Sequence, residues 1–562
     1  MKSTLLSGLA ATGYLFSSAS AAVHVPIVKN YHVEKEQLQA AQLRRRGTIT
    51  ESLGNAQHFG LYYANITAGT PPQALSLQID TGSSDVWLPS STAALCNLRS
   101  GCEGGSFDSS ASSTFEIVGP DDFNISYVDG TGSMGSYFTD SFGIGGKTIQ
   151  NFQMGLGEET TISIGILGIG YANSVANIFT GSGTSYANLP VALVDAGLIN
   201  TPAYSLWLDD IKASAGSILF GGIDTAKYTG QLQSIKVYPN SRTGNVTSFT
   251  VAFTSLRATS SSGTDLLTSS TYAQPAILDS GTTLTLLPDD IAALVFQELG
   301  AIDDKDIEAV VVPCALASNS GNLTFGFGGA NGPIITVSVS ELVLPLTLTN
   351  GGTPKFENGQ DACQLGIQAA GDLPILFGDT FLRSAYVVYD LANNQVGLAQ
   401  TDFDATGSNV VEFASMSAPI PQASTASGQD QIGVSQTKTG IPRGGEATQA
   451  VSADGTVEGN ASPTGGLTAA SGFATNDDVE DESAGGRLEP PRWGSFAFLG
   501  AWMGIMIVGG DKIHHVLPLE SPIARDNFKN IVVPIKVPTV AQYNSAKDNK
   551  IVARDAAACP WN

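Results

Sequence analysis

The sequence predicts an all-β chain folded as two related lobes, and three observations carry that prediction. From about Tyr62 to Gln400 it is a succession of short apolar, β-branched runs, such as Gly216–Gly222 and Tyr386–Asp390, cut by Gly, Asn, Asp and Ser. That is the pattern of strands joined by tight turns. Charged residues make up only 14% of the chain while glycine reaches 63 of 562 positions, a balance suited to a turn-dense β protein. Finally, the central region is doubled. Ile79-Asp80-Thr81-Gly82-Ser83-Ser84 returns as Leu278-Asp279-Ser280-Gly281-Thr282-Thr283. Each copy is followed by an apolar-apolar-Gly element, Ile166-Leu167-Gly168 at 88 residues from the first Asp and Leu376-Phe377-Gly378 at 99 from the second. Two such units imply two lobes, placed at 47–225 and 226–403. Helical periodicity is local: Asp289–Leu299 follows Pro288 and starts with two acidic residues.

The ends read as processing and attachment segments. Residues 1–21 open with Met1-Lys2, continue through an apolar run and close on Ala19-Ser20-Ala21, the layout of a secretory signal peptide. The tribasic Arg44-Arg45-Arg46 makes 22–46 an expected propeptide, cut after Arg46 by a processing protease. From 404 to 492 the composition shifts to Ser, Thr, Ala, Gly and Gln with an acidic cluster near its end, which predicts a disordered stalk. Three readings fit the apolar stretch 493–510 and the tail 511–562: a single-pass helix, a plain surface segment, or a GPI-attachment signal. The last is adopted, with the tail read as sequence beyond the true end, so membrane or cell-wall attachment is expected.

Composition narrows the chemistry. With 51 acidic against 27 basic side chains the net charge is −24. Loss of 1–46, which holds six basic and two acidic residues, leaves 21 against 49 and a net of −28. Nucleic acid, which needs a basic face, is not an expected partner. The histidines are His24, His32, His58, His514 and His515, so the central region offers no multi-His metal site and only one candidate for a His-based triad. No metal or cofactor is expected; if the chain does chemistry, carboxylates carry it. The cysteines and the sequons at Asn65, Asn124, Asn245 and Asn322 agree with an oxidising, secretory route.

Each repeated motif sets an Asp after an apolar strand and before a Gly, hence on a tight turn at a strand end. If the lobes pair about a pseudo-twofold axis, Asp80 and Asp279 meet. Two carboxyl groups in contact share a proton and titrate as a pair. One can then act as general base on a water while the other donates to a substrate carbonyl.

The motifs resemble those of the pepsin-like aspartic endopeptidases, closest to the secreted or surface-anchored fungal yapsin-like branch. The resemblance spans about residues 60–402. It rests on Gly69-Thr-Pro-Pro-Gln73, Asp80-Thr-Gly-Ser-Ser-Asp-Val-Trp-Leu-Pro-Ser90, Ala276–Thr283 and Ile375-Leu-Phe-Gly-Asp-Thr-Phe-Leu-Arg-Ser384. It implies a bilobal pepsin-like fold with a cleft, a catalytic pair Asp80 and Asp279, and polypeptide substrates. It also implies that Thr81 and Ser280 lock the loops by crossed hydrogen bonds. Gly82 and Gly281 complete those loops, and Ser83 and Thr282 bond the outer carboxylate oxygens. Tyr127 matches a flap tyrosine with Trp87 as its indole partner, and the implied disulfides are Cys96–Cys102 and Cys314–Cys363. Val128 stands where the family usually has Gly, which should stiffen the flap. Asp129 at the flap tip implies acceptance of a basic as well as a bulky apolar P1 residue. The expectation is a monomeric acid endopeptidase made as a secreted zymogen. Its rival is a non-catalytic peptide-binding protein on the same scaffold.

Overall fold

The computed structural model describes residues 23–30, 61–99, 101–180, 183–213, 215–438, 440–444, 450–451, 455–463 and 466–475, all within one compact unit. The signal peptide, Arg46, the apolar stretch 493–510 and the tail lie outside the described residues. Strands dominate. A 14-stranded sheet draws on both halves of the chain, and an 8-stranded sheet belongs to the second half. The halves join where Ala203–Trp207 pairs antiparallel with Ala385–Asp390, Tyr389 lying opposite Tyr204. These two rings stack at 5.0 Å and Phe249 packs edge-on against Tyr389 at 4.6 Å, so the seam is filled by aromatic area.

The internal repeat is visible as a repeated pairing. Gln73–Asp80 runs parallel to Ile166–Gly168 with Asp80 opposite Gly168. Gln274–Leu278 runs parallel to Ile375–Phe377 with Leu278 opposite Phe377, one residue before the Asp279 and Gly378 positions. In both halves the strand after the motif, Val86–Pro89 or Thr285–Leu287, then pairs antiparallel with the same partner. The motif aspartates therefore emerge at matching strand ends because the apolar residues before them are clamped in a buried sheet. The helix Asp289–Leu299 forms as its periodicity predicts, ending at Gly300 with a left-handed φ of 65°. Disulfides join Cys96 to Cys102 and Cys314 to Cys363, with Cα separations of 4.5 and 4.9 Å.

The segment expected as propeptide contains the strand Val23–Asn30, whose backbone is paired on one side with Ala215–Phe220 and on the other with Leu61–Ala68. The expected disordered stalk differs from the sequence reading: its described part, out to Thr475, lies fastened along the body. Val410–Glu412 pairs with Gly222–Asp224, Ser424–Thr425 with Gln233–Ser234, Ala450–Val451 with Thr347–Leu348 and Thr456–Val457 with Lys355–Phe356. Along this segment Phe413, Ile420, Ala426, Val457, Ala469 and Phe473 are buried against the protease body. The segment forms no core of its own. Its scattered apolar residues are buried by surfaces already folded, so mean composition underestimates what it can bury.

Candidate active site

The two motif loops are held together by a symmetric set of bonds. Thr81 Oγ1 donates to the Leu278 carbonyl at 3.0 Å and accepts from the Ser280 amide at 3.0 Å. Ser280 Oγ donates to the Ile79 carbonyl at 3.0 Å and accepts from the Thr81 amide at 3.3 Å. Each hydroxyl thus joins the two halves twice, and all the groups are buried. The consequence is that Asp80 and Asp279, both with no exposed surface, face each other. Glycine is required between them. A Cβ on Gly82 would sit 2.5 Å from Asp279 Oδ1, and one on Gly281 would collide with Asp80 Oδ1.

Each carboxyl group has its own donors. Asp80 Oδ1 accepts from the amides of Gly82 at 2.8 Å and Ser83 at 3.2 Å, and Oδ2 from the Ser83 hydroxyl. Asp279 Oδ1 accepts from the Gly281 amide at 2.9 Å and Oδ2 from the Thr282 hydroxyl at 2.6 Å. Burial raises the pKa of both, against the pull of these donors. Asp279 is pushed well above the ordinary carboxylate range by burial and then by the neighbouring Asp80 charge. The pair is bonded directly, so the two carboxyl groups share a proton and titrate as one unit. The arrangement therefore offers one buried carboxylate and one buried carboxylic acid at the same point.

Above them stands the hairpin of Glu116–Ser126 and Gly132–Ile144. Its tip closes by bonds from the Tyr127 amide to the Thr131 carbonyl at 2.9 Å and from the Gly130 amide to the Tyr127 carbonyl at 3.0 Å. Tyr127 is buried and its phenol accepts from Trp87 Nε1 at 3.1 Å. Val128 does not take positive φ; that role falls to Gly130, at 84°. Asp129 uses Oδ1 on its own turn, accepting from the Thr131 amide and hydroxyl at 2.9 and 2.7 Å. Its Oδ2 accepts from Arg443 Nη1 at 2.9 Å. The structure thus brings together Asp80, Thr81, Gly82, Ser83, Asp279, Ser280, Gly281 and Thr282, with Tyr127 and Asp129 at the hairpin tip above and Trp87, on the strand Val86–Pro89, bonded to Tyr127. Of the sequon asparagines, Asn245 is exposed, while Asn65, Asn124 and Asn322 are half-buried on strands.

Two groups at the site were not singled out from the sequence. Asp85 is fully buried, its Oδ1 accepting from the phenols of Tyr137 and Tyr186 at 2.9 and 2.7 Å and its Oδ2 from the Ala176 amide at 2.7 Å. Its position in the repeat is taken by Leu284 in the second copy, a break in the duplication that could have marked it. Ile441–Gly444, from the expected stalk, also reaches the site, and no composition signal points there.

Residues 61–401 match the family model described as eukaryotic aspartyl protease. Similar proteins include the probable aspartic-type endopeptidase opsB of Aspergillus fumigatus, 42% identical over 68% of this chain and 77% of that protein. Aspartic proteinase yapsin-3 of Saccharomyces cerevisiae is 33% identical over 71% of this chain and 76% of its own. Among solved structures, an aspartic proteinase from Irpex lacteus shares the fold, with TM-score 0.50 and 24% identity over 69% of this chain and all of that one. The chain belongs to the pepsin-like aspartic protease family. It is an aspartic-type endopeptidase, similar to the fungal yapsin-like branch, and as such acts on polypeptides.

Proposed function

We propose that the chain is a secreted or surface-held endopeptidase that hydrolyses peptide bonds at acidic pH, with Asp80 and Asp279 as its catalytic pair. The observation that carries the reading is the contact between these two buried carboxyl groups across the crossed Thr81 and Ser280 bonds. Ionised Asp80 takes a proton from a water, whose oxygen attacks the scissile carbonyl carbon. Asp279 gives its proton to the carbonyl oxygen, forming a tetrahedral diol; its collapse breaks the C–N bond as the leaving nitrogen takes the proton now on Asp80 and a diol hydroxyl returns one to Asp279. The Ser83 and Thr282 hydroxyls steady the outer oxygens. Tyr127, held by Trp87, closes over the bond and excludes water.

Acceptance of a basic P1 residue at Asp129 belongs to the same reading. It is supported by the arginine side chain that Asp129 already pairs with, Arg443, whose Nη1 lies 2.9 Å from Oδ2. Secretion is supported by the two disulfides and by relatives such as the secreted aspartic protease 8 of Candida albicans, 36% identical over 65% of this chain. Maturation by a cut after Arg46 and attachment through the C-terminal region complete the proposal. The test is cleavage of peptides with Leu, Lys or Arg at P1 across pH 3 to 7, with D80N and D279N as controls. Acid-limited cleavage lost in both variants is the expected result, with a selective loss of Lys and Arg peptides in D129A. No cleavage by folded protein that still binds peptide would favour the non-catalytic reading.

A further inference from the structure

The site is crossed by the chain's own C-terminal segment. Ile441 pairs in parallel with Tyr127, and the Val128 amide donates to the Ile441 carbonyl at 3.0 Å. Ile441 also packs on the apolar group that includes Trp87, Ile125 and Tyr127. Pro442, Arg443 and Gly444 are all buried. The Arg443 Nη1 donates to Asp129 Oδ2 at 2.9 Å and to Thr131 Oγ1 at 3.0 Å. Its guanidinium carbon stands 5.8 Å from the centre of the Tyr127 ring. The Gly444 amide lies 3.2 Å from Thr282 Oγ1, the hydroxyl that donates to Asp279. The positive charge of Arg443 also acts on Asp80, favouring its ionised form.

We propose that residues 440–444 are a built-in occupant of the active-site cleft, latched by Arg443 on Asp129, which a peptide substrate must displace. This rests on the reading of the cleft as the peptide-hydrolysing site. The segment takes the groups a substrate backbone and side chain would need: a flap amide, the hydroxyl beside Asp279, and the acidic corner at Asp129. It is also tethered close by. Upstream, Lys438 Nζ donates to the carbonyls of Gly371 and Leu373 at 2.9 and 2.7 Å, and the Gln436 carbonyl accepts from the Ser241 amide at 3.1 Å. Downstream, Ala450–Val451 is paired with Thr347–Leu348. An occupant fastened on both sides competes at high effective concentration, so it raises the apparent Kd or KM for any peptide by the inverse of the fraction of open cleft. Its recognition element is a guanidinium flanked by small or cyclic residues, in Gly440-Ile-Pro-Arg-Gly444.

The experiment compares the full chain with its R443A and G444P variants at one fixed pH. R443A removes the charge-assisted bonds; G444P removes the amide that faces Thr282 and keeps the charge. Two quantities are read: hydrolysis of a peptide with Leu at P1, and anisotropy of a labelled statine-type peptide, which binds without being cut. Loss of a charge-assisted bond in a half-buried corner should tighten statine-peptide binding and lower KM by about tenfold or more, with kcat unchanged. R443K should restore part of the occlusion. A synthetic peptide of residues 436–446 should inhibit R443A competitively but weakly, because it lacks the tether. Statine binding that tightens while no protein hydrolyses peptide would uphold the latch and overturn the enzymatic reading. Hydrolysis by the unaltered chain, with KM and statine affinity the same in R443A and G444P, would overturn the latch and leave the enzymatic reading standing. Thermal melting of each variant separates loss of the latch from loss of the fold.

Discussion

Replacing Thr81 by valine keeps the shape of the side chain and removes one hydroxyl at the centre of the molecule. That hydroxyl donates to the Leu278 carbonyl and accepts from the Ser280 amide, each at 3.0 Å, and Thr81 is 1% exposed, so water does not replace it. Leaving a buried donor and a buried acceptor unmatched costs about 1–3 kcal/mol each, or about 4 kcal/mol together. Unfolding entropy near the midpoint is about 2.1 cal/mol/K per residue, or about 0.8 kcal/mol/K over roughly 400 ordered residues, so the Tm should fall by about 5 °C. The same bonds fix the second carboxyl group against the first, so kcat should drop by about tenfold or more while KM changes little. Calorimetry and steady-state kinetics read the two effects, with T81S, which keeps the hydroxyl, as the reference. A Tm change under about 1 °C together with unchanged kcat would refute the claim that these bonds hold the pair in register.

Three further outcomes follow from the same structure. Asp279 has its pKa raised, so the folded state holds a proton that the unfolded chain releases near the ordinary carboxylate value; stability from this group is present below that value and is lost as pH rises through the folded pKa. D279N should therefore abolish cleavage yet flatten the fall in Tm between pH 4 and neutrality, and a variant with the parent's pH–Tm slope would contradict this. Glu298, buried and beside Asp265, is raised to about 7 by burial and by that neighbour. Its contribution is complete below about 4.5 and lost through about 7, so E298Q should melt less pH-sensitively over that window, as circular dichroism would show. The two disulfides should differ in worth: they close sequence spans of 49 and 6 residues, so on chain entropy the double Cys→Ala variant at 314 and 363 should lose about 4 kcal/mol and that at 96 and 102 about 2 kcal/mol. Denaturant titration of both under oxidising conditions checks the order.

Much of the site is legible in the sequence because the chemistry is local. Asp-Thr-Gly and Asp-Ser-Gly carry, within four residues, the carboxyl group, the hydroxyl that crosses to the other half, the glycine that permits contact and the hydroxyl on the outer oxygen. Duplication then supplies the long-range information that a single motif lacks, since two identical strand ends in related lobes meet across a pseudo-axis. The helix Asp289–Leu299 was similarly explicit, from its periodicity and Pro288. Asp85 was harder. Inside the motif it looks like one more turn residue, and its bonds come from Tyr137, Tyr186 and Ala176, which lie 52 to 101 residues away.

The C-terminal segment shows why composition misjudges some chains. Its low apolar content would prevent any independent core, and by that criterion disorder is the correct expectation for the isolated segment. The criterion counts what a segment can bury against itself. Here the partners are already folded: sheet edges at Gly222–Asp224, Gln233–Ser234, Thr347–Leu348 and Lys355–Phe356 accept short backbone pairings. The hollows between them take single side chains such as Phe413, Val457 and Phe473. Each attachment is small, but tethering lowers the entropy cost of the next, so a sparse series of contacts can order a chain that no single contact would hold. The same logic applies at the cleft. Gly440–Gly444 offers one cation, one apolar side chain and a few backbone groups, too little for tight binding as a free peptide. Fastened at Gln436 and Lys438 before and at Ala450–Val451 after, it needs only to exceed the cost of closing short loops. A latch of this kind can be firm enough to occlude and weak enough to yield, because its strength is set by the tether as much as by Arg443 itself.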